Sequence, residues 1–96
     1  MDNIFEIKDK TGRTIHLPRE KWKHIIIIHH ELVNWIEEIK EPLDHPLFIN
    51  NDPADDKLKY YHRRYKKIAQ YVVVIVKYLN SEGIILTSFY TENERP

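Results

Sequence analysis

The spacing of apolar residues predicts a helix near the start of the chain. Pro18 suits the first turn of a helix, and a stripe at i, i+3, i+4 and i+7 follows it, formed by Trp22, Ile25, Ile26 and His29. The four consecutive isoleucines in this segment are β-branched and would also fit a strand. Because Glu and Lys residues flank the stripe, we interpret the segment as a helix.

A second helix is predicted directly after the first. Its apolar face is formed by Leu32, Trp35, Ile36 and Ile39. Its polar face is formed by Asn34, Glu37, Glu38 and Glu41. Pro42 and Pro46 are expected to end this helix, because proline lacks the backbone donor that a helix interior needs.

The remaining segments have the alternation and turn residues of strands. An N-terminal hairpin is predicted from segments 4–7 and 14–17 around a turn at 9–12. Later strands are predicted at 47–49, 58–65, 70–79 and 84–91, with residues 80–83 as the turn of the last hairpin. Residues 71–76 are apolar on both faces, which predicts a central strand. The expected fold class is α+β: an N-terminal β-hairpin and two helices packed on one face of an antiparallel meander of about four strands.

Length and composition narrow the function classes. Ninety-six residues predict one domain, and a 42% hydrophobic share is enough for a core. The chain has no cysteine, which excludes disulfides, thiolate metal sites and a cysteine nucleophile. The longest apolar run, 72–76, is too short to span a bilayer, and no signal peptide is visible. We therefore expect a cytoplasmic protein without a membrane partner.

Charge is divided along the chain although the formal net charge is zero. Segment 31–56 holds eight acidic residues and one lysine, whereas segment 57–78 holds seven basic residues and no acid. A domain with this asymmetry can bind a polyanion on one side. A solvated basic strand pair facing an acidic helix is the alternative interpretation.

Four short motifs occur in an order that resembles a known family. They are Trp22-Lys23-His24-Ile25, His29-His30-Glu31-Leu32, the valine-rich segment that ends at Lys77, and Thr87-Ser88-Phe89-Tyr90-Thr91. In this order and spacing they resemble the phage-associated nucleases of the barnase–EndoU–colicin–RelE-like group, over most of the chain from Ile7 to Thr91. The resemblance implies a RelE-like fold and a metal-independent endoribonuclease, often a toxin or effector held in check by an antitoxin or immunity protein.

The chain departs from the family pattern at three positions. Ile28 stands where the family usually has Arg, His30 where it has Pro, and Phe89 where it has Tyr. The missing arginine removes one candidate phosphate clamp. His30 is a candidate replacement for it.

The candidate catalytic residues are two histidines and two residues of the last hairpin: His24, His29, Lys77 and Thr87. Histidine can exchange protons near neutral pH, so one imidazole would act as base on the ribose 2′-OH and the other as acid on the leaving oxygen. His24 and His29 are separated by about 140° on a regular helix, so they converge only if the helix ends near His29. The alternative is that His24 packs and that His29 is a cation at the helix C-terminus.

Lys77 and Thr87 would meet only in one register of the last hairpin. A three-residue loop would place them side by side, where Lys77 neutralises charge on the phosphorus and Thr87 donates a hydrogen bond. A four-residue loop would separate their faces. Ser88 and Tyr90, on the opposite face of that strand, are the reserve substrate-binding candidates.

Arg63 and Arg64 lie among tyrosines and are candidate RNA-binding residues together with Tyr61. Arginine grips phosphate bidentately, and aromatic rings stack on unpaired bases. Neighbouring strand residues point to opposite faces, so only one of the two arginines can enter a shared cleft. A charged edge strand that resists further pairing is the alternative interpretation.

No cofactor or metal is expected. The segment from His30 would be a zinc-protease motif only with a histidine at position 34, where the chain has Asn34. His16, His45 and His62 are scattered without ligand spacing. The leading hypothesis is therefore a metal-independent ribonuclease, and its rival is a non-catalytic module that binds RNA or protein.

Overall fold

A computed structural model describes residues 3–92 of the chain. Two strands come first, β1 (Asn3–Lys8) and β2 (Thr14–Pro18). A helical segment follows, with α1 (Arg19–Ile28), a short 3-10 turn (His30–Leu32) and α2 (Ile36–Asp44). Four strands complete the fold: β3 (Phe48–Asn51), β4 (Leu58–Tyr65), β5 (Gln70–Leu79) and β6 (Glu82–Thr91). The α+β class expected from the sequence is confirmed.

All six strands form a single mixed sheet in the order β1-β2-β6-β5-β4-β3. Strands β3 to β6 pair antiparallel with their sequence neighbours, and β1 pairs antiparallel with β2. The N-terminal hairpin joins this sheet because β2 pairs parallel with β6 at Thr14–His16. The sequence predicted an antiparallel meander of about four strands, whereas the sheet has six strands and one parallel pair. The parallel pair joins β2, which precedes the helices, to β6, the last strand, so it is a contact between segments distant in the chain.

Helix α1 forms although its last four residues are isoleucines. Pro18 is in an extended conformation immediately before the helix, so its missing N–H removes no helical hydrogen bond. Trp22 and Ile25 are buried against the sheet, whereas Ile27 is 77% exposed. Packing of one apolar face therefore outweighs the β-branched preference of the run for a strand.

The second helix is shorter than the sequence predicted. Leu32 belongs to the 3-10 turn, and α2 begins only at Ile36. Pro42 lies inside α2 instead of ending it. The Tyr65 hydroxyl of β4 donates its single proton to Glu41 Oε1 at 2.7 Å and lies 3.3 Å from the Glu38 carbonyl, the group that would have accepted a bond from position 42. The last turn of α2 is therefore bound to β4 at Glu41, and the helix continues to Asp44.

The hydrophobic core lies between the helices and one face of the sheet. Both helices contribute to one cluster with alternate residues of the central strand β5, namely Val72, Val74, Val76 and Tyr78. Strand β5 was predicted to be central, and it lies between β4 and β6. The acidic α2 packs here against β4 and β5, so its charges lie on the helical side of the molecule.

The turn between β5 and β6 is tighter than the predicted four-residue turn. Leu79 pairs with Glu82, which leaves Asn80 and Ser81 as the two central residues. Asn80 has a φ of 54°, a left-handed conformation that asparagine tolerates better than most residues.

Candidate functional site

One face of the sheet carries no helix among the described residues, and we call it the helix-free face. In each strand every second residue points into the core, and the residues between them point to the helix-free face. Cross-strand pairing arranges its side chains in rows: Lys77 with Ile84 and His16; Thr87, Ile75, Tyr60 and Asn50; Phe89, Val73, His62 and Phe48; Thr91, Tyr71 and Arg64.

A β-bulge brings Thr87 to the same face as Lys77. Lys77 pairs with Ile84 and Val76 with Ile85, but the next residue, Ile75, pairs with Thr87. Leu86 is the extra residue, and it shifts every later residue of β6 to the other face. The predicted meeting of Lys77 and Thr87 thus does not come from a three-residue loop. They occupy neighbouring rows, about 7–8 Å apart as diagonal cross-strand residues.

Lys77 is half-exposed at the edge of this face nearest the β3–β4 loop. Its Nζ lies 3.8 Å from Asp55 Oδ2, an ion pair in which both side chains keep contact with solvent. Such a pair is weak and exchangeable. Lys77 can therefore reach a bound anion without breaking a buried contact.

Three rings on β3, β4 and β5 form an aromatic platform, defined as Phe48, His62 and Tyr71. Phe48 stacks on His62 with ring centroids 4.3 Å apart, and Tyr71 meets Phe48 edge-on at 6.0 Å. His62 is fully buried although no helix covers it. Its ring therefore supports the platform, while the half-exposed Phe48 and Tyr71 present apolar surface to solvent.

Arg63 and Arg64 separate as the alternation of a strand requires. Arg63 points to the helical side, where Nη1 donates to the His45 carbonyl at 2.8 Å and Nε lies 3.9 Å from Glu41 Oε2. Arg64 is exposed and pairs with Tyr71 on the helix-free face. Only Arg64 is thus placed to bind a ligand there.

Charge is graded along the helix-free face. Exposed Lys66 and Lys67 lie in the turn that follows Arg64, next to the row of Tyr71. The opposite end adjoins the β3–β4 loop with its aspartates, of which Asp52 accepts a hydrogen bond from Tyr60 at 2.6 Å. An anion would therefore be attracted to the end formed by Arg64 and the β4–β5 turn.

His29 lies at the border of this face. Helix α1 ends at Ile28, and His29 leaves the helix with a φ of −123° and a ψ of 64°. Its ring centroid is 6.2 Å from that of Phe89, and its Nδ1 lies 3.7 Å from Glu31 Oε2. The condition set by the sequence, a helix end near His29, is met, and Thr87 lies two residues before Phe89 in β6.

His24 lies elsewhere. On α1 it falls on the side away from buried Trp22 and Ile25, and it is exposed beside Glu20 and Lys21. The structure therefore does not bring His24 together with His29, Lys77 or Thr87. Ile28 and His30, the departures near this motif, are both exposed.

The other predicted substrate-binding residues point into the helical side. Tyr61 is buried, and its hydroxyl contacts that of Tyr78. Ser88 is fully buried and donates to the Val73 carbonyl at 2.8 Å, which leaves it no surface for a ligand. Tyr90 packs edge-on against Trp35 at 5.2 Å. Burial, and then the charges of Glu31 and Glu38, raise the pKa of the Tyr90 phenol.

Sequence reasoning missed the surroundings of His16. Its Nδ1 lies 3.4 Å from Glu6 Oε2, and its Nε2 lies 3.5 Å from Glu82 Oε1. The parallel pairing of β2 with β6 makes this cluster, and no local signal in the sequence announces that pairing. His62 was likewise set aside, and it proved to be the centre of the aromatic platform.

Within residues 3–92, no group of three or more histidine, aspartate or glutamate side chains is arranged to hold a metal ion. Neither α1 nor α2 is long and apolar enough to cross a membrane.

Comparison with known proteins found no matching family model, no matching curated protein and no matching solved structure.

Proposed function

We propose that this chain is a metal-independent endoribonuclease of the phage-associated barnase–EndoU–colicin–RelE-like type, and that it binds single-stranded RNA on the helix-free face. One observation carries the proposal. The helix-free face combines an exposed arginine, an aromatic platform and the pair Lys77 and Thr87, with His29 at its border. The helical side offers no comparable combination within residues 3–92.

The binding step uses stacking and charge. Phe48 and Tyr71 provide apolar ring surface for unpaired bases, and each stacked base contributes about 1–3 kcal/mol in such sites. Arg64 can hold a phosphate bidentately, and Lys66 and Lys67 extend the positive surface beyond it. This arrangement favours single strands, since paired bases cannot reach the rings.

The chemical step is transfer within the RNA chain. His29 takes the proton of the ribose 2′-OH, the 2′ oxygen bonds to the adjacent phosphorus, and the bond to the 5′ oxygen breaks. The leaving oxygen takes a proton from the imidazolium or from water, and a 2′,3′-cyclic phosphate results. Thr87 donates a hydrogen bond to the phosphoryl group, and Lys77 balances its added negative charge.

Cleavage of a fluorescent single-stranded RNA in the presence of EDTA tests this proposal. We expect a 2′,3′-cyclic phosphate product and no cleavage of DNA of the same sequence, which lacks the attacking hydroxyl. His29→Ala should lower kcat/KM by roughly 10²–10⁴-fold, the usual contribution of a general base.

His24→Ala is the matched control for His29→Ala, because it removes an imidazole five residues earlier, from the side of α1 that faces away from the sheet. Its kcat/KM should stay within about twofold of the unmodified protein. Equal losses in both variants, with folding preserved, would contradict the assignment of His29.

A non-catalytic RNA-binding module is the second candidate, and the position of His24 favours it. Only one of the two predicted catalytic histidines reaches the helix-free face. This candidate predicts RNA binding that Arg64→Gln weakens and that salt reduces, without any product.

A protein inhibitor, antitoxin or immunity protein, is part of the ribonuclease proposal, as is action in the cytoplasm. The inhibitor comes from the resemblance of the motifs and the cytoplasm from the general features of the sequence, and neither comes from a contact in the structure.

A further inference from the structure

A pocket of about 330 Å³ lies where the helical layer ends. It opens between the β1–β2 turn, the end of α2 and the paired strands β3 and β4. Lys59 and Tyr61 form its floor from the helical side of β4, because they pair with Val76 and Val74 of the core. The pocket is therefore on the opposite side of the sheet from the helix-free face.

The walls of the pocket are apolar. Leu43, Pro46, Ile49 and the Tyr61 ring line it, and Leu43 and Tyr61 are part of the hydrophobic core. Its volume is at the lower end of the roughly 300–1,000 Å³ that is typical of small-molecule sites. A ligand of one or two rings would fit such a space better than a peptide segment.

The rim of the pocket is cationic, with Lys10, Arg13 and Lys59. The Arg13 guanidinium lies 3.8 Å from the centroid of the Tyr78 ring, and its Nε donates to Thr11 Oγ1 at 3.1 Å. Lys59 Nζ donates to Asn51 Oδ1 at 2.6 Å. Arg13 is also paired with Asp9, its Nε 3.6 Å from Asp9 Oδ2, whereas the partner of Lys59 is neutral, so the charge of Lys59 stays available to a ligand.

Asp9 is the one carboxylate in the lining, and its charge is already satisfied. It accepts hydrogen bonds from Thr11 N at 2.9 Å, from Thr11 Oγ1 at 2.7 Å, from Arg13 N at 2.9 Å and from the Tyr78 hydroxyl at 2.9 Å. These bonds also fix the turn from which Lys10 and Arg13 extend. The pocket consequently keeps an excess of positive charge over an apolar interior.

We propose that this pocket binds a small aromatic anion, a compound of one or two rings that carries a carboxylate or phosphate. The ring lies between Pro46, Ile49 and Tyr61, and the anionic group meets Arg13 and Lys59. This site is independent of the proposed RNA surface, since Tyr60 and His62 of that surface point to the other side of β4.

Titration of the ¹⁵N-labelled full chain with 2-naphthoate, followed by ¹H–¹⁵N NMR, tests the proposal. We expect saturable shifts at the amides of Thr11, Asn51 and Lys59, with millimolar affinity or tighter. The neutral isostere 2-naphthamide should bind at least about tenfold more weakly, because one lost charge-assisted contact is worth about a factor of ten. Inorganic phosphate alone, without a ring, should give no saturation in the same range.

Lys59→Gln tests the contribution of the rim and Lys8→Gln is its control. Lys8 is an exposed lysine of β1 that does not line the pocket. Lys59→Gln should weaken 2-naphthoate by about three- to tenfold, whereas Lys8→Gln should leave its affinity unchanged. Ile49→Glu, which places a carboxylate at the half-exposed wall, should abolish saturation without burying a charge.

Three results would overturn the proposal. They are no saturable shift with 2-naphthoate, equal affinity for the acid and the amide, or shifts centred on Arg64 and Tyr71 instead of on the pocket. The ribonuclease assay decides none of these outcomes, so the two proposals can fail separately.

Discussion

Replacing Tyr78 with phenylalanine tests the hydrogen bonds that join the N-terminal hairpin to the central sheet. The Tyr78 hydroxyl donates to Asp9 Oδ2 at 2.9 Å, so its single proton is used and Tyr61 must donate to it. Tyr61 and Tyr78 are each 4% exposed, and the Asp9 side chain is 5% exposed. Burial, then the contacts with Tyr61 and Asp9, raise the pKa of Tyr78, so its phenol stays neutral and keeps donating.

The expected loss follows from these two contacts. A hydrogen bond to a charged group contributes about 1.5–3 kcal/mol, and a buried hydroxyl left without its acceptor costs about 1–3 kcal/mol. Water in the pocket beside Tyr61 can accept from the Tyr61 hydroxyl, which reduces the cost of the lost acceptor. The phenylalanine ring at position 78 keeps the contact that the tyrosine ring makes with the Arg13 guanidinium. We therefore expect the free energy of unfolding to fall by about 2–4 kcal/mol.

Urea unfolding at neutral pH, followed by the fluorescence of Trp22 and Trp35, measures this change. For a domain of this size, a loss of that order should lower Tm by roughly 10–25 °C. Tyr90→Phe is the matched control, since the Tyr90 hydroxyl makes no hydrogen bond within residues 3–92, and it should change stability by less than about 0.5 kcal/mol.

Equal urea midpoints for Tyr78→Phe and the unmodified protein would refute this reasoning. They would mean that the buried network adds no net stability over an apolar contact of the same shape. A double-mutant cycle with Asp9→Asn then locates the error, because a coupling energy near zero would show that the Tyr78–Asp9 bond itself is not formed in solution.

Two further predictions concern stability. Burial raises the pKa of Asp9, but hydrogen bonds from Thr11, Tyr78 and the Arg13 backbone outweigh burial and hold that pKa below its usual range. The Asp9 carboxylate therefore contributes fully to the free energy of unfolding above its unfolded-state pKa of about 3.9, and this contribution is lost as the pH falls through the lower folded-state pKa. Asp9→Asn should for this reason make the urea midpoint depend less on pH in the acid range. Replacing buried Ile25 with alanine should lower the free energy of unfolding by about 2–5 kcal/mol in the same urea assay. Replacing exposed Ile27 with alanine should lower it by less than about 0.5 kcal/mol. Similar losses at both positions would contradict the orientation of α1.

The elements that could be predicted from the sequence are those whose signal is local. The limits predicted for β4 and β5 match the structure, because alternating apolar residues and turn residues define both strands. The opposite directions of Arg63 and Arg64 follow from strand geometry alone. The angle of about 140° between positions 24 and 29 was likewise readable from helical geometry. The end of α1 at Ile28 did not bring the two imidazoles together, because His24 lies on the side of α1 away from buried Trp22 and Ile25.

The prediction for α2 was wrong at its start and at Pro42, although the helix does end before Pro46, because tertiary contacts act there. Leu32 fits the helical stripe, yet the chain makes a 3-10 turn before Ile36. Pro42 would normally end a helix, and the hydroxyl of Tyr65, distant in sequence, binds the last turn of α2 by donating to Glu41 Oε1 at 2.7 Å. No window of local residues contains that contact.

Local patterns were enough to define the α+β class, the central position of β5 and the burial of one face of α1, since periodicity and apolar content act over a few neighbouring residues. Which chemical groups meet depends on contacts between distant segments. The bulge at Leu86 moves Thr87 to the face of Lys77, and the parallel pairing of β2 with β6 places His16 between two glutamates. Both depend on the register of strands that are distant in the chain, and a shift of one residue reverses every side chain in a strand.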